Sequence, residues 1–242
     1  WGEKKYSRTV QKFVEVYSQH GNSEYYGNPY PMHANSVMFI ALPRGVPDDG
    51  GENPESPWYI PIKGYQPTDA SPPDKGNYVQ EALANGYKLS IIAGSDAHFI
   101  SHYKMSYPNG TMAVYADELE GSKVWKAMDN RLVYGTTGAR MYIDFKVSGR
   151  PVGSEFKTSA SPVLKAKIVG EVPVEKAEVV RFMNGAYSTV VNQSSKTPEC
   201  SFSFTDDDFT GEGFYYLRVT QADGEIGWAG PVWIERAAGA AG

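Results

Sequence analysis

The chain has 242 residues, 41% of them hydrophobic and 21% charged, a globular composition that excludes intrinsic disorder and collagen-like repeats. A formal net charge of −5 argues against a general binder of nucleic acid or of anionic membranes. The single cysteine, Cys200, rules out an intrachain disulfide and a cysteine-rich zinc module.

No apolar run approaches the length of about 18 residues that a membrane span needs. Trp1 opens a polar stretch without an initiator Met, so the chain reads as a piece of something longer. A removed leader leaves no trace in such a piece, so the sequence fits a cytoplasmic, periplasmic or secreted protein alike.

In chain order, Lys12–Tyr17 (KFVEVY) has strand composition. From Asn28 to Asp74 the chain is rich in Pro and Gly without a sustained period, a length of irregular sequence that is uncommon unless functional or disordered. Between Asn77 and Asn85, Val79, Ala82 and Leu83 fall at helical spacing and Gly86 supplies a stop. Lys88 to Ala93 reads as a buried strand that breaks at Gly94, and Thr111–Asp117 as another. Ser122 to Arg131 predicts a short helix, with Ser122 as N-cap and Val124, Trp125 and Met128 on one face. This order predicts an α/β domain over residues 1–143, its strands buried on both faces.

From Tyr142 onward the rhythm changes to short alternating strands. YIDFKV, PVLKAKIVG, KAEVVRFMN, STVVN, CSFSF, FYYLRVTQ and GPVWIE are divided by turn signals such as Asn184-Gly185 and Ala222-Asp223-Gly224. That spacing predicts an immunoglobulin-like sandwich over residues 144–242. Tyr215, Tyr216, Trp228 and Trp233 alternate as core residues do, with a sugar-binding platform as the alternative, and Tyr215 is a candidate tyrosine-corner residue.

Ionisable residues gather at two strand ends. Glu15 lies inside the first strand between Val14 and Val16, with His20 just beyond it; Asp96 and His98 follow the strand that ends at Ala93. In parallel α/β architectures functional groups collect past the carboxyl ends of strands. A carboxylate inside a buried strand must be paired or metal-bound. Carboxylate with imidazole suits zinc, manganese or iron, although Gly-Ser-Asp is also an ordinary turn.

The other candidates have bland alternatives. His102 either reaches the same mouth or lies on a surface loop, and His33 sits in the irregular stretch. Glu24 is either a carboxylate that orients a ligating histidine or a solvated charge. Arg140 either meets an anionic substrate or makes a structural ion pair. Asn109 and Asn192 each open a glycosylation triplet by pattern. A Walker loop, a G-x-S-x-G elbow and an H-E-x-x-H motif are all missing from the sequence.

Four segments, VEVYSQHGNSE, YVQEALANGYKLSIIAGSDAH, AVYADELEGSKVWKAMDNRLVYGTTGARMYIDFKVSG and FYYLRVTQADGEIGWAGPVWIE, run in an order that resembles the C-terminal part of a bacterial family. That family is related to the PHP superfamily of metal-dependent hydrolases (polymerase and histidinol phosphatase). The resemblance implies a partial or distorted β/α barrel with divalent metals (zinc, manganese or iron) that activate a water against a phosphoester. It implies Asp96 and His98 as metal ligands, Glu15 as a ligand able to bridge metals, and His20 as a ligand or proton donor, with His20 and Asp96 in the catalytic role. The family's His-x-His motif is missing here, which implies a fragment or a partner chain that completes the barrel.

Two functional expectations follow. The first is a metal-dependent hydrolase acting on a small-molecule ester. The second is a binding or interaction module, for carbohydrate or protein, with a degenerate metal site. Strand edges that must be paired or protected add a possible homodimer to either.

Overall fold

A computed structural model describes residues 10–18, 21–26, 28, 78–95 and 110–237. Its strands are β1 (Phe13–Ser18), β2 (Gly21–Asn22), β3 (Ser90–Ala93), β4 (Thr111–Val114), β5 (Val133–Thr136), β6 (Tyr142–Val147) and β7 (Arg150–Pro151), continuing with β8 (Glu155–Thr158), β9 (Val163–Val169), β10 (Val174–Met183), β11 (Ala186–Gln193), β12 (Glu199–Thr205), β13 (Gly211–Gln221) and β14 (Ile226–Arg236). The helices are α1 (Val79–Ala84) and α2 (Gly121–Asp129).

The described residues stack in three layers. The middle layer is a seven-stranded sheet in the order β11-β10-β13-β14-β5-β4, with β8 also paired to β14. A four-stranded sheet, β12-β9-β6-β7, covers one face, and a small sheet, β2-β1-β3, covers the other together with α1.

The sequence of β13 shows why the middle layer is buried on both faces. Side chains alternate across a strand, so Tyr215, Leu217 and Val219 enter the core under the four-stranded sheet. Phe214 and Tyr216 enter the core under the small sheet. β14 divides likewise, with Ala229, Val232 and Ile234 on one side and Trp228 and Trp233 on the other. The aromatic alternation of the second half is therefore core packing, as its spacing predicts.

The expected α/β barrel is not what these residues build. β1 and β3 are parallel with α1 between them in sequence, a single βαβ unit. The next strands do not continue it. β4 and β5 pair antiparallel with each other, and β5 pairs antiparallel with β14, so both enter the middle sheet beside strands from the end of the chain. The four residues of β5 are all buried there. The resemblance to the PHP superfamily is corrected on the same ground, because the described residues are almost entirely β and hold two short helices. The two facing sheets of the later strands do agree with a β-sandwich.

Two local expectations for α2 also change. Its N-cap is Glu120, not Ser122, and Trp125 is 70% exposed while Ala127 is the buried residue. The helix touches its neighbours through a small residue, so a wide apolar stripe is not required.

Gly135 allows β5 to lie against β3. A Cβ there would stand 2.7 Å from the backbone nitrogen of Ala93 and from the carbonyl carbon of Ile92, and neither backbone atom can move aside as a flexible side chain would. Gly135→Ala is expected to destabilise by about 1–3 kcal/mol through overpacking. A chemical denaturation curve measures this; an unchanged midpoint would contradict the close approach.

Candidate functional site

The parallel pairing of β1 and β3 brings their carboxyl ends side by side. Tyr17 is in register with Ala93, and the Gly94 amide donates to the Tyr17 carbonyl at 3.0 Å. Glu15 projects from the exposed side of β1. Its Oε2 lies only 2.8 Å from where a Cβ on Gly94 would stand, so glycine at that position lets the carboxylate reach the end of β3.

His20, Asp96 and His98 lie outside the described residues, as do His33, His102 and Asn109. No group of three or more His, Cys, Asp or Glu side chains gathers as a metal centre among the described residues. The hydrolase and metal-binding labels that came with the PHP resemblance lose that support.

Glu24 is neither a solvated charge nor, among the described residues, a partner of histidine. It is 1% exposed and anchors the small layer onto the middle sheet. Its Oε1 accepts from the Tyr216 hydroxyl at 2.7 Å and from Arg218 Nη1 at 2.8 Å, and its Oε2 accepts from Trp228 Nε1 at 2.8 Å. Burial and the adjacent Glu24 charge push the Tyr216 hydroxyl well above its ordinary pKa, so it stays a donor. Arg218 also pairs with Glu178 at 3.0 Å and lies over the Tyr25 ring. The sequence gives no periodic signal for this anchor, because its four members are spread over two distant segments.

A second buried carboxylate, Asp206, is 3% exposed. It accepts two hydrogen bonds from Arg181 Nη1, each 3.0 Å, and one from the Tyr215 hydroxyl at 2.8 Å. Tyr215 thus ties back upstream to a carboxylate, whereas a tyrosine corner ties back to the backbone. Arg140 is exposed, and its backbone amide donates to the Glu171 carboxylate.

Cys200 is 7% exposed in β12, and burial raises its thiol pKa. Less thiolate at neutral pH means slow reaction. Labelling with a disulfide reagent is therefore expected to proceed only as the protein unfolds; full labelling of the native protein within seconds would contradict this packing.

Where the small layer meets the middle sheet, a cleft of about 470 Å³ opens between Leu83, Ala84 and Lys88 on one wall and β8, β10, β13 and β14 on the other. Phe156, Phe182, Phe214 and Trp233 contribute its aromatic lining. Phe182 stacks on Phe214, ring centroids 5.1 Å apart. Trp233 is covered by cations, with Lys88 Nζ 5.3 Å and the Arg131 guanidinium 4.9 Å from its ring centroid. At the rim Arg131 pairs with Glu155 at 2.7 Å and Lys157 with Glu235 at 2.6 Å. Arg131 holds this position from a left-handed backbone, φ 62°, which is uncommon for a side chain of its size. Sequence reasoning missed the cleft because its walls come from segments that lie far apart in the chain.

Fold and site together define a layered β protein with a ligand-sized cleft at the seam between layers. Residues 77–167 match a family model described as "Protein of unknown function (DUF3604)". A protein of Chlamydia trachomatis described as "Uncharacterized protein" is 25% identical over 248 residues, covering 93% of this chain and 34% of its own length. One of Chlamydia muridarum with the same description gives the same identity and coverage. A Chlamydia pneumoniae protein is 26% identical over 184 residues, covering 67% of this chain and 29% of its own. The chain thus spans about a third of the length of these relatives. No solved structure matches it.

Proposed function

We propose that this chain is a binding module and that the seam cleft takes a neutral carbohydrate. The observation that carries the reading is the composition of the cleft. Its volume of about 470 Å³ is that of a small-ligand site, and such sites favour seams between packed units. Of the aromatic lining, Phe156 and Phe182 are partly exposed and offer apolar surface for the C–H faces of a sugar, and the rim offers charged donors and acceptors for its hydroxyls. The charges offset one another: Lys88 and Lys157 line the cleft with Glu155, Glu212 and Glu235, and Arg131, outside the lining, pairs with Glu155. A rim without excess charge gives no electrostatic preference to an anionic or a cationic ligand.

The test is a screen of neutral oligosaccharides against the whole chain, followed by calorimetry on any that bind. Lys157→Ala and Glu212→Ala alter exposed rim positions and are expected to weaken binding about tenfold each, the size of one lost charged hydrogen bond. A screen without binders, or binding unchanged in both variants, would remove the proposal.

A further inference from the structure

The seam between the small layer and the middle sheet holds more than the cleft of about 470 Å³. A second depression of about 260 Å³ opens along the same seam, where Tyr25 and Gln80 face Tyr187, Ser188, Thr189 and Arg218 of the middle sheet.

The two depressions share a wall and a floor. Gln80 lines the second, and Leu83 and Ala84 line the first. Residues three and four apart lie on one face of a helix, so a single face of α1 walls both. The floor is one row of the sheet. Register sets Tyr187 against Phe182, Phe182 against Phe214, Phe214 against Trp233, and Trp233 against Glu155. Neighbouring strands lie about 4.8 Å apart, so this row across five strands covers roughly 19 Å. Phe182 lines the first depression and Tyr187 the second. Their ring centroids are 4.8 Å apart and both side chains are partly exposed. The Tyr187 hydroxyl donates to the Gln80 carbonyl at 2.5 Å, which ties floor to wall at the junction.

The chemistry also repeats. The second depression has aromatic surface from Tyr25 and Tyr187, the Gln80 amide, and the exposed hydroxyls of Ser188 and Thr189. Its one charged lining residue, Arg218, is held by Glu24 and Glu178, so an anion meets no free cation there. We infer that the two depressions are subsites of one groove and that its ligand is a linear neutral oligosaccharide, an inference that rests on the carbohydrate reading of the cleft. A chain of sugar rings presents apolar faces and hydroxyls again at each unit. Units held in the second depression add contacts without a second loss of translational freedom.

The experiment is calorimetry of the whole chain with cello-, malto- and xylo-oligosaccharides, each from the monosaccharide to the hexasaccharide. Wild type is compared with Ser188→Ala/Thr189→Ala, two exposed positions that line the second depression and not the first. In the series that binds, affinity is expected to rise about tenfold once the chain reaches the second depression, the size of one or two hydrogen bonds. The double variant is expected to lose that gain and to bind the short members as wild type does. Should the variant fail to fold, amide NMR shifts of wild type decide. Those of residues 187–189 are expected to move with the hexasaccharide and not with the disaccharide. Affinity independent of chain length, a length gain that survives in the folded variant, or unmoved shifts at 187–189 would each overturn the groove and leave the cleft reading standing. Failure of every series to bind would remove the cleft reading, and the groove with it.

Discussion

Glu24→Ala is expected to lower the unfolding free energy by about 3–5 kcal/mol, the cost of breaking a buried, hydrogen-bonded ion pair from one side. Three donors, the Tyr216 hydroxyl, Arg218 and the Trp228 indole, converge on this carboxylate. Tyr216 and Trp228 are fully buried and cannot turn to water when it is removed. Each stranded donor adds a desolvation penalty of its own. Because whole-domain stability is about 5–15 kcal/mol, the variant stands at the limit of folding. Glu24→Gln keeps the shape and two acceptor lone pairs but loses the charge facing Arg218, so its loss should be smaller. Arg218 retains Glu178, which softens the effect. Urea unfolding followed by tryptophan fluorescence measures both, since Trp228 is part of the cluster. An alanine variant within about 1 kcal/mol of wild type would mean that the carboxylate does not hold the small layer to the middle sheet.

Asp206→Ala is expected to cost a similar amount, about 3–5 kcal/mol, on the opposite face of the same sheet. It strands Arg181, whose side chain is 15% exposed, and the buried Tyr215 hydroxyl. Burial, reinforced by the hydrogen bond to Asp206, keeps that hydroxyl protonated far above the ordinary tyrosine range. It therefore needs an acceptor at every accessible pH. The companion variant Tyr215→Phe removes one donor with its partner still satisfied by Arg181, and should cost about 0.5–1.5 kcal/mol. Thermal melts of the two variants and their combination test the pairing. If the double variant loses the full sum of the single losses, the hydroxyl and the carboxylate act independently and the coupling seen in the geometry is wrong.

The two carboxylates are remote in sequence, and the reach of the sequence reading differs between them. The strands of the second half were legible because a half-turn per residue is a local property: FYYLRV alternates whichever partner it meets. The strand over Lys88–Ala93 and its break at Gly94 were legible for a related reason, since an apolar run closed by glycine is a local pattern. The placement of Glu24 was not legible. A glutamate in HGNSE has the same neighbours in sequence whether it is solvated or buried under Arg218. The exposed Trp125 was misplaced because a helical stripe marks which residues share a face, not whether anything covers that face.

Sequence alone therefore determined local quantities of this protein: the longer strands and the turns between them, the alternation of its aromatic core, and the lack of an intrachain disulfide; the short strands β2, β5, β7 and β8 carried no such signal. Tertiary structure decided the rest. It alone placed β4 and β5 beside β14 in the middle sheet instead of in a barrel, assembled the seam cleft from distant segments, and gave Glu24 and Asp206 their buried partners. The physical reason is that period and propensity act between residues close in the chain. Sheet order, burial of charge and the shape of a cleft depend on which distant surfaces exclude water together.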